Sequence, residues 1–159
     1  MLGKSLKDAS LMRALRFALA FAEMFTLAAA THAETFCAAN QSLQVQVGAQ
    51  MFTVSLASSD FARQRGLSGH AQLNKGMGMW FVFPEPGVQG FWMHSMSFPI
   101  DLIWLSATGH VLGAISLQPC DDQACPIHLP PAPVGSVLEI NAGEFAGKVG
   151  DGLTWRCVP

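Results

Sequence analysis

Beyond residue 40 the apolar residues of this chain come in short runs, most of them alternating with polar residues, and each run is bounded by glycine, proline or small polar residues. Successive side chains of a strand point to opposite faces, so this alternation predicts half-buried strands. Leu43, Val45 and Val47 alternate with Gln44 and Gln46. A turn at Gly48-Ala49-Gln50 leads into a second alternating strand with Phe52, Val54 and Leu56. Ser58-Ser59-Asp60 can cap a short helix from Phe61 to about Arg65, which Gly66 would end. A polar connection runs from Leu67 to Lys75. Met77–Phe83 is an apolar run closed by the turn signal Pro84-Glu85-Pro86-Gly87. Strands are then expected over 89–96, 100–105 and 110–117, the last two joined as a hairpin by Ala107-Thr108-Gly109, and over 136–141 and 153–158, with a short helix or turn at 142–148. Five prolines make residues 119–133 a loop. The expected fold class is mainly β with one or two short helices, a small antiparallel barrel-like or sandwich domain.

The first 33 residues read differently. Lys4, Lys7, Arg13 and Arg16 precede the apolar stretch Phe17–Ala30, and Thr31-His32-Ala33 offers small residues where a signal peptidase cuts. Residues 1–33 therefore read as a cleaved signal peptide and 34–159 as a single β-rich domain, periplasmic or secreted. Glu23 opposes insertion, and the apolar run falls short of the roughly 20 residues of a spanning helix. An uncleaved anchor or an ordinary amphipathic helix is the alternative. Without the leader the chain holds nine acidic residues against five basic ones, a net charge near −4. That excludes a nucleic-acid partner, which needs a basic face, and docking on anionic lipid.

All four cysteines, Cys37, Cys120, Cys125 and Cys157, follow the leader. In an exported chain an even count reads as disulfides. Of the three possible pairings we favour Cys120–Cys125, a local loop, with Cys37–Cys157 tying the two ends, where chain entropy could add roughly 4–5 kcal/mol. The alternative is a zinc site at Cys120, Cys125 and His128, for which no fourth ligand is evident.

Five segments stand in a recognisable order: Arg65-Gly66-Leu67, Gly78-Met79-Trp80-Phe81-Val82-Phe83-Pro84, Phe91-Trp92-Met93, Pro99-Ile100-Asp101 and Glu139-Ile140-Asn141-Ala142-Gly143. Together they resemble the bacterial and archaeal family catalogued as domain of unknown function 192, over roughly residues 43–157. The resemblance implies a small, often exported, barrel-like β domain, and it implies no enzyme activity. The chain departs from the family pattern at His94, where lysine commonly follows the Trp-Met pair, and near His70, where an arginine is common. An anion-binding role of either cation would be weakened here at neutral pH.

Asp101 lies in a strand apolar on both faces, so its carboxylate must be paired or neutralised. One reading is an Arg65–Asp101 or Arg65–Glu139 ion pair holding the helix on the sheet. The other is a polar ligand pocket with Arg65, Trp92, His94, Asp101 and Asn141 as candidate binding residues, serving an unknown small ligand or protein partner of a monomeric accessory module. If 89–96 is a strand, Trp92, His94 and Met96 share one face. With Met77 they could form a Cu(I) or Ag(I) site, a set loosely similar to that of periplasmic copper and silver chaperones, while Met79 and Met93 read as packing. No other cofactor is expected. Catalysis is the weakest reading: no thiol is expected free, and a hydrolase would rest on His94 or on an Asp101/Glu139 pair. Finally, residues 119–133 are expected to form a stiff flap over the face carrying Trp92 and Asp101. Ile127 and Leu129 would dock, His128 would point away, and Asp121-Asp122-Gln123 would supply the turn between the cysteines.

Overall fold

The computed structural model describes residues 36–120 and 125–159. The expected leader and the Asp121-Asp122-Gln123 turn lie outside them. The described residues hold seven strands and one helix, in the order β1 (Ser42–Val47), β2 (Gln50–Ala57), α1 (Asp60–Arg65), β3 (Met77–Gly87), β4 (Ile100–Leu105), β5 (Val111–Leu117), β6 (Val134–Asn141) and β7 (Leu153–Val158). All seven strands join one sheet in the order β5-β4-β6-β3-β2-β1-β7.

Most neighbours are antiparallel, two of the pairs joined by short turns. Gly48, at φ +57°, turns β1 into β2 so that Val47 faces Gln50. β4 and β5 form the expected hairpin. One pairing departs from the antiparallel expectation: β2 and β3 run parallel, Thr53 opposite Met77 through Ala57 opposite Phe81. Parallel neighbours need a long crossover, and the helix with its polar connection supplies it. Ser59 caps α1, its Oγ accepting from the Ala62 amide at 3.2 Å, and Gly66 ends it at φ +50°.

Two further expectations change. Pro84-Glu85-Pro86-Gly87 is the tail of β3 rather than a turn. The ladder with β6 steps from Val82–Ser136 to Gly87–Val134, so the prolines, which have no N–H to donate, ride in a bulge between paired positions. Residues 89–96 are not a strand. They form a loop with one isolated bridge, Phe91 to His128, and a turn at His94-Ser95 where Ser95 takes φ +57°.

The sheet curls and buries both faces. The inner cluster includes Val45, Val47, Trp80, Ile103, Leu138 and Ile140. The outer cluster includes Phe81, Met93, Leu102, Trp104 and Val137, roofed by α1 and the loops. Each fully buried aliphatic side chain contributes about 1.5–3 kcal/mol. At one end the two edges touch, the Val111 amide donating to Asp151 O at 2.9 Å and the Leu153 amide to Gly109 O at 2.7 Å. The sheet is otherwise open, barrel-like but not a closed barrel. Cys37–Cys157 and Cys120–Cys125 are both disulfide-bonded.

Candidate functional site

The outer face of the sheet carries a cavity of about 100 Å³, and its walls come from segments far apart in sequence. β6 supplies the floor with Glu139, between Met79 of β3 and Leu102 of β4. Helix α1 and its end supply Arg63, Arg65 and Ser68, and the 88–98 loop supplies Phe91, Trp92, Met93 and Met96. The loop is tied on two sides. Ser68 Oγ donates to His94 O at 3.2 Å and the Gly69 amide to Ser95 O at 3.3 Å. Across the loop, Phe91 and His128 exchange amide hydrogen bonds of 2.9 and 2.7 Å. Gly90 permits that approach, because a Cβ there would stand 2.8 Å from Ile127 Cγ2.

Glu139 is 6% exposed and has no hydrogen-bond or ion-pair partner among the described residues. Burial alone pushes its carboxyl up to about 8, since a low-dielectric site disfavours the charged form. Arg63 is engaged: it pairs with Asp60, donates to Ser58 O and to Val82 O, the last at 2.8 Å, and lies over the Phe83 ring. Arg65 is exposed and makes no ion pair among the described residues. The expected Arg65–Glu139 bridge is therefore not made, although both residues line one cavity.

The sheet sorts the other candidates by face. Ile100, Leu102 and Trp104 point to the outer cluster, while Ile103 and Leu105 point to the inner one, so Asp101 points inward. It pairs with no arginine. Its carboxylate accepts from Ser116 Oγ, from the Gly143 amide at 2.9 Å and from the Phe145 amide at 3.0 Å. Val137 packs outward and Ile140 inward, so Glu139 points outward, and Asp101 and Glu139 cannot act as one carboxylate pair. Asn141 donates to Leu73 O, Asn74 O and Glu144 Oε1 at 3.1–3.2 Å, pinning the connection ahead of β3 rather than entering a pocket. His94 stands beside Trp92, ring centroids 5.5 Å apart, with Nδ1 3.0 Å from Ser95 Oγ. Because 89–96 is a loop, Trp92, His94 and Met96 do not form a strand face. Met96 lines the Glu139 cavity, whereas Met77 lines a different groove with Leu43 and Leu56.

The 119–133 loop does pack beside the Phe91–Trp92 segment, but Asp101 lies on the other face of the sheet. Ile127 and Leu129 are 63% and 59% exposed and His128 is half-buried, the reverse of the expected alternation. The bridge to Phe91 sets that phase.

The profile of the family DUF192, "uncharacterized ACR", matches residues 43–155. The chain belongs to the DUF192 family. Two solved structures share its fold. A protein of Sinorhizobium meliloti 1021, described as a proposed transcription regulator, is 24% identical with a TM-score of 0.63, covering 72% of this chain and 92% of its own. A protein of unknown function from Novosphingobium aromaticivorans DSM 12444 is 26% identical with a TM-score of 0.62, covering 72% and 84% respectively. No curated protein matches the sequence significantly.

Sequence reasoning named Arg65, Trp92 and Met96 for this region but gave Glu139 only structural or paired-carboxylate roles. The signal was there: Glu139 is the single charge in the apolar run Val137–Ile140.

Proposed function

We propose that this DUF192 protein is an exported, non-catalytic binding module that holds a small ligand in the cavity above Glu139. One observation carries the reading: Arg65 and Glu139 line the same cavity without bridging it, and the carboxyl at its floor is buried with no partner among the described residues. A buried polar group costs free energy unless it is satisfied, and a ligand would satisfy this one. Two disulfides suit an extracytoplasmic compartment, and no helix among the described residues is long and apolar enough to cross a membrane. Binding is favoured over hydrolysis because the charged groups of the cavity wall are one carboxyl and two arginines, and arginine does not exchange protons at working pH.

Heteronuclear NMR of the protein against a panel of sugars, amino acids, organic acids and amines tests this. The expected result is that at least one class shifts the Trp92 indole together with the amides of Phe91, Met93 and Glu139. Shifts confined to other parts of the surface, or none, would overturn it.

A further inference from the structure

We infer that the cavity takes a short monocarboxylate, whose carboxylate group is shared between the Arg65 guanidinium and the buried carboxyl of Glu139 at the cavity floor; this inference rests on the binding-module reading above. Among the described residues that line the cavity, Arg63 and Arg65, at the helical wall, are the charged groups beside Glu139; β3, β4 and the 88–98 loop contribute apolar or uncharged side chains to the lining. Asp60 is already paired with Arg63. With Glu139 protonated, the cavity is therefore net positive at neutral pH, which favours an anion and disfavours an organic ammonium.

The second step is hydrogen bonding. A protonated Glu139 has an O–H to donate and no acceptor among the described residues, so the best occupant brings an ionised oxygen. An O–H···O⁻ bond between a carboxylic acid and a carboxylate belongs to the strong, charge-assisted class. Arginine completes the recognition, since its planar fork matches a carboxylate, and Arg65 makes no ion pair among the described residues. The third step is size and polarity. The apolar part of the wall, with Phe91, Trp92, Met93, Met96 and Ile100, suits a short alkyl chain, beside polar Gln64, Ser68 and Gln89, and the volume of about 100 Å³ fits a group of a few carbons. Sulfate and phosphate share the charge but would leave those apolar walls against water or polar oxygen.

The pH window follows from the two acids. The ligand must be ionised, which holds above about pH 5 for a simple carboxylic acid, and Glu139 must be protonated, which holds below about 8. Three isosteric probes, propionate, propionamide and propylammonium, decide the matter by calorimetry and NMR on the purified protein at pH 6.5 and pH 9.5. The expected result is binding of propionate alone at pH 6.5, weakened by about tenfold or more at pH 9.5 as Glu139 ionises. Glu139→Gln, which keeps an N–H donor, should bind with little pH dependence, and Arg65→Gln should weaken binding about fivefold or more at both pH values. The wild-type pH series stands by itself if a variant fails to fold. Preference for propylammonium with affinity rising with pH would overturn the carboxylate assignment while leaving a cavity-binding module. So would silence of all three probes while another compound of the wider panel shifts the Trp92 and Glu139 signals. If no compound shifts them, both readings fall.

Discussion

On the inner face of the sheet Asp101 is buried beside Ile103 and Ile140 and accepts three hydrogen bonds; on the outer face Glu139 is as deeply buried and accepts none from the described residues. The two residues are neighbours across the β4–β6 ladder, one register step apart. The donors to Asp101 come from β5 and from the turn at 143–145, so this carboxylate joins three parts of the fold. Glu139 joins nothing. The disulfides divide in the same way. Cys37 packs on the inner cluster and its bond to Cys157 spans 120 residues, whereas Cys120 and Cys125 pack on the outer cluster and close a loop of five. The inner face is therefore the part of the molecule that is locked by long-range constraints, and the outer face is the part left open to bind.

The largest expected effect that tests this contrast is loss of the long disulfide. Cys37→Ser with Cys157→Ser should cost about 5 kcal/mol in urea unfolding, against roughly 2 kcal/mol for Cys120→Ser with Cys125→Ser, because loop-closure entropy grows with loop length. An equal or reversed order would break the contrast. Asp101→Ala should follow, at about 3–4 kcal/mol by the same measurement, since it leaves three donors beside a buried space. A loss below about 1 kcal/mol would show that those bonds are dispensable.

Glu139 sharpens the comparison through pH. Unfolded, its carboxyl returns to the ordinary value of 4.5, while folded it holds its proton until about 8. Between those values the folded state binds the extra proton, so stability falls as pH rises from 4.5 to 8 and is level above. In Glu139→Gln that component of the slope should vanish, a difference on the order of a few kcal/mol at alkaline pH and none at pH 4. Thermal melts of both proteins across this range check it, and parallel pH profiles would refute the raised carboxyl. The smallest effect on stability is expected at Trp92, which is 58% exposed. Trp92→Ala should change unfolding free energy by less than about 0.5 kcal/mol while weakening binding of the cavity ligand. A large loss of stability would place Trp92 in the core.

Much of the fold was determined by sequence alone. Alternation located β1 and β2, and apolar runs bounded by turn signals located β4, β5, β6 and β7, all to within two residues, because both patterns are local to the strand. Ser59 and Gly66 marked the ends of α1 because capping is a local hydrogen-bonding matter. Cysteine parity and the expectation of export pointed to both disulfides. What the sequence could not decide was which neighbour each strand takes and which face each residue meets. The parallel β2–β3 pairing, the bulge that carries Pro84 and Pro86, and the loop at 89–96 depend on partners distant in the chain. The same holds for the site. Asp101 and Glu139 look alike in sequence, each a lone carboxylate in an apolar run, and only register separates them: a shift of one residue turns a side chain to the opposite face, which gave one carboxylate three donors and set the other in the floor of a cavity.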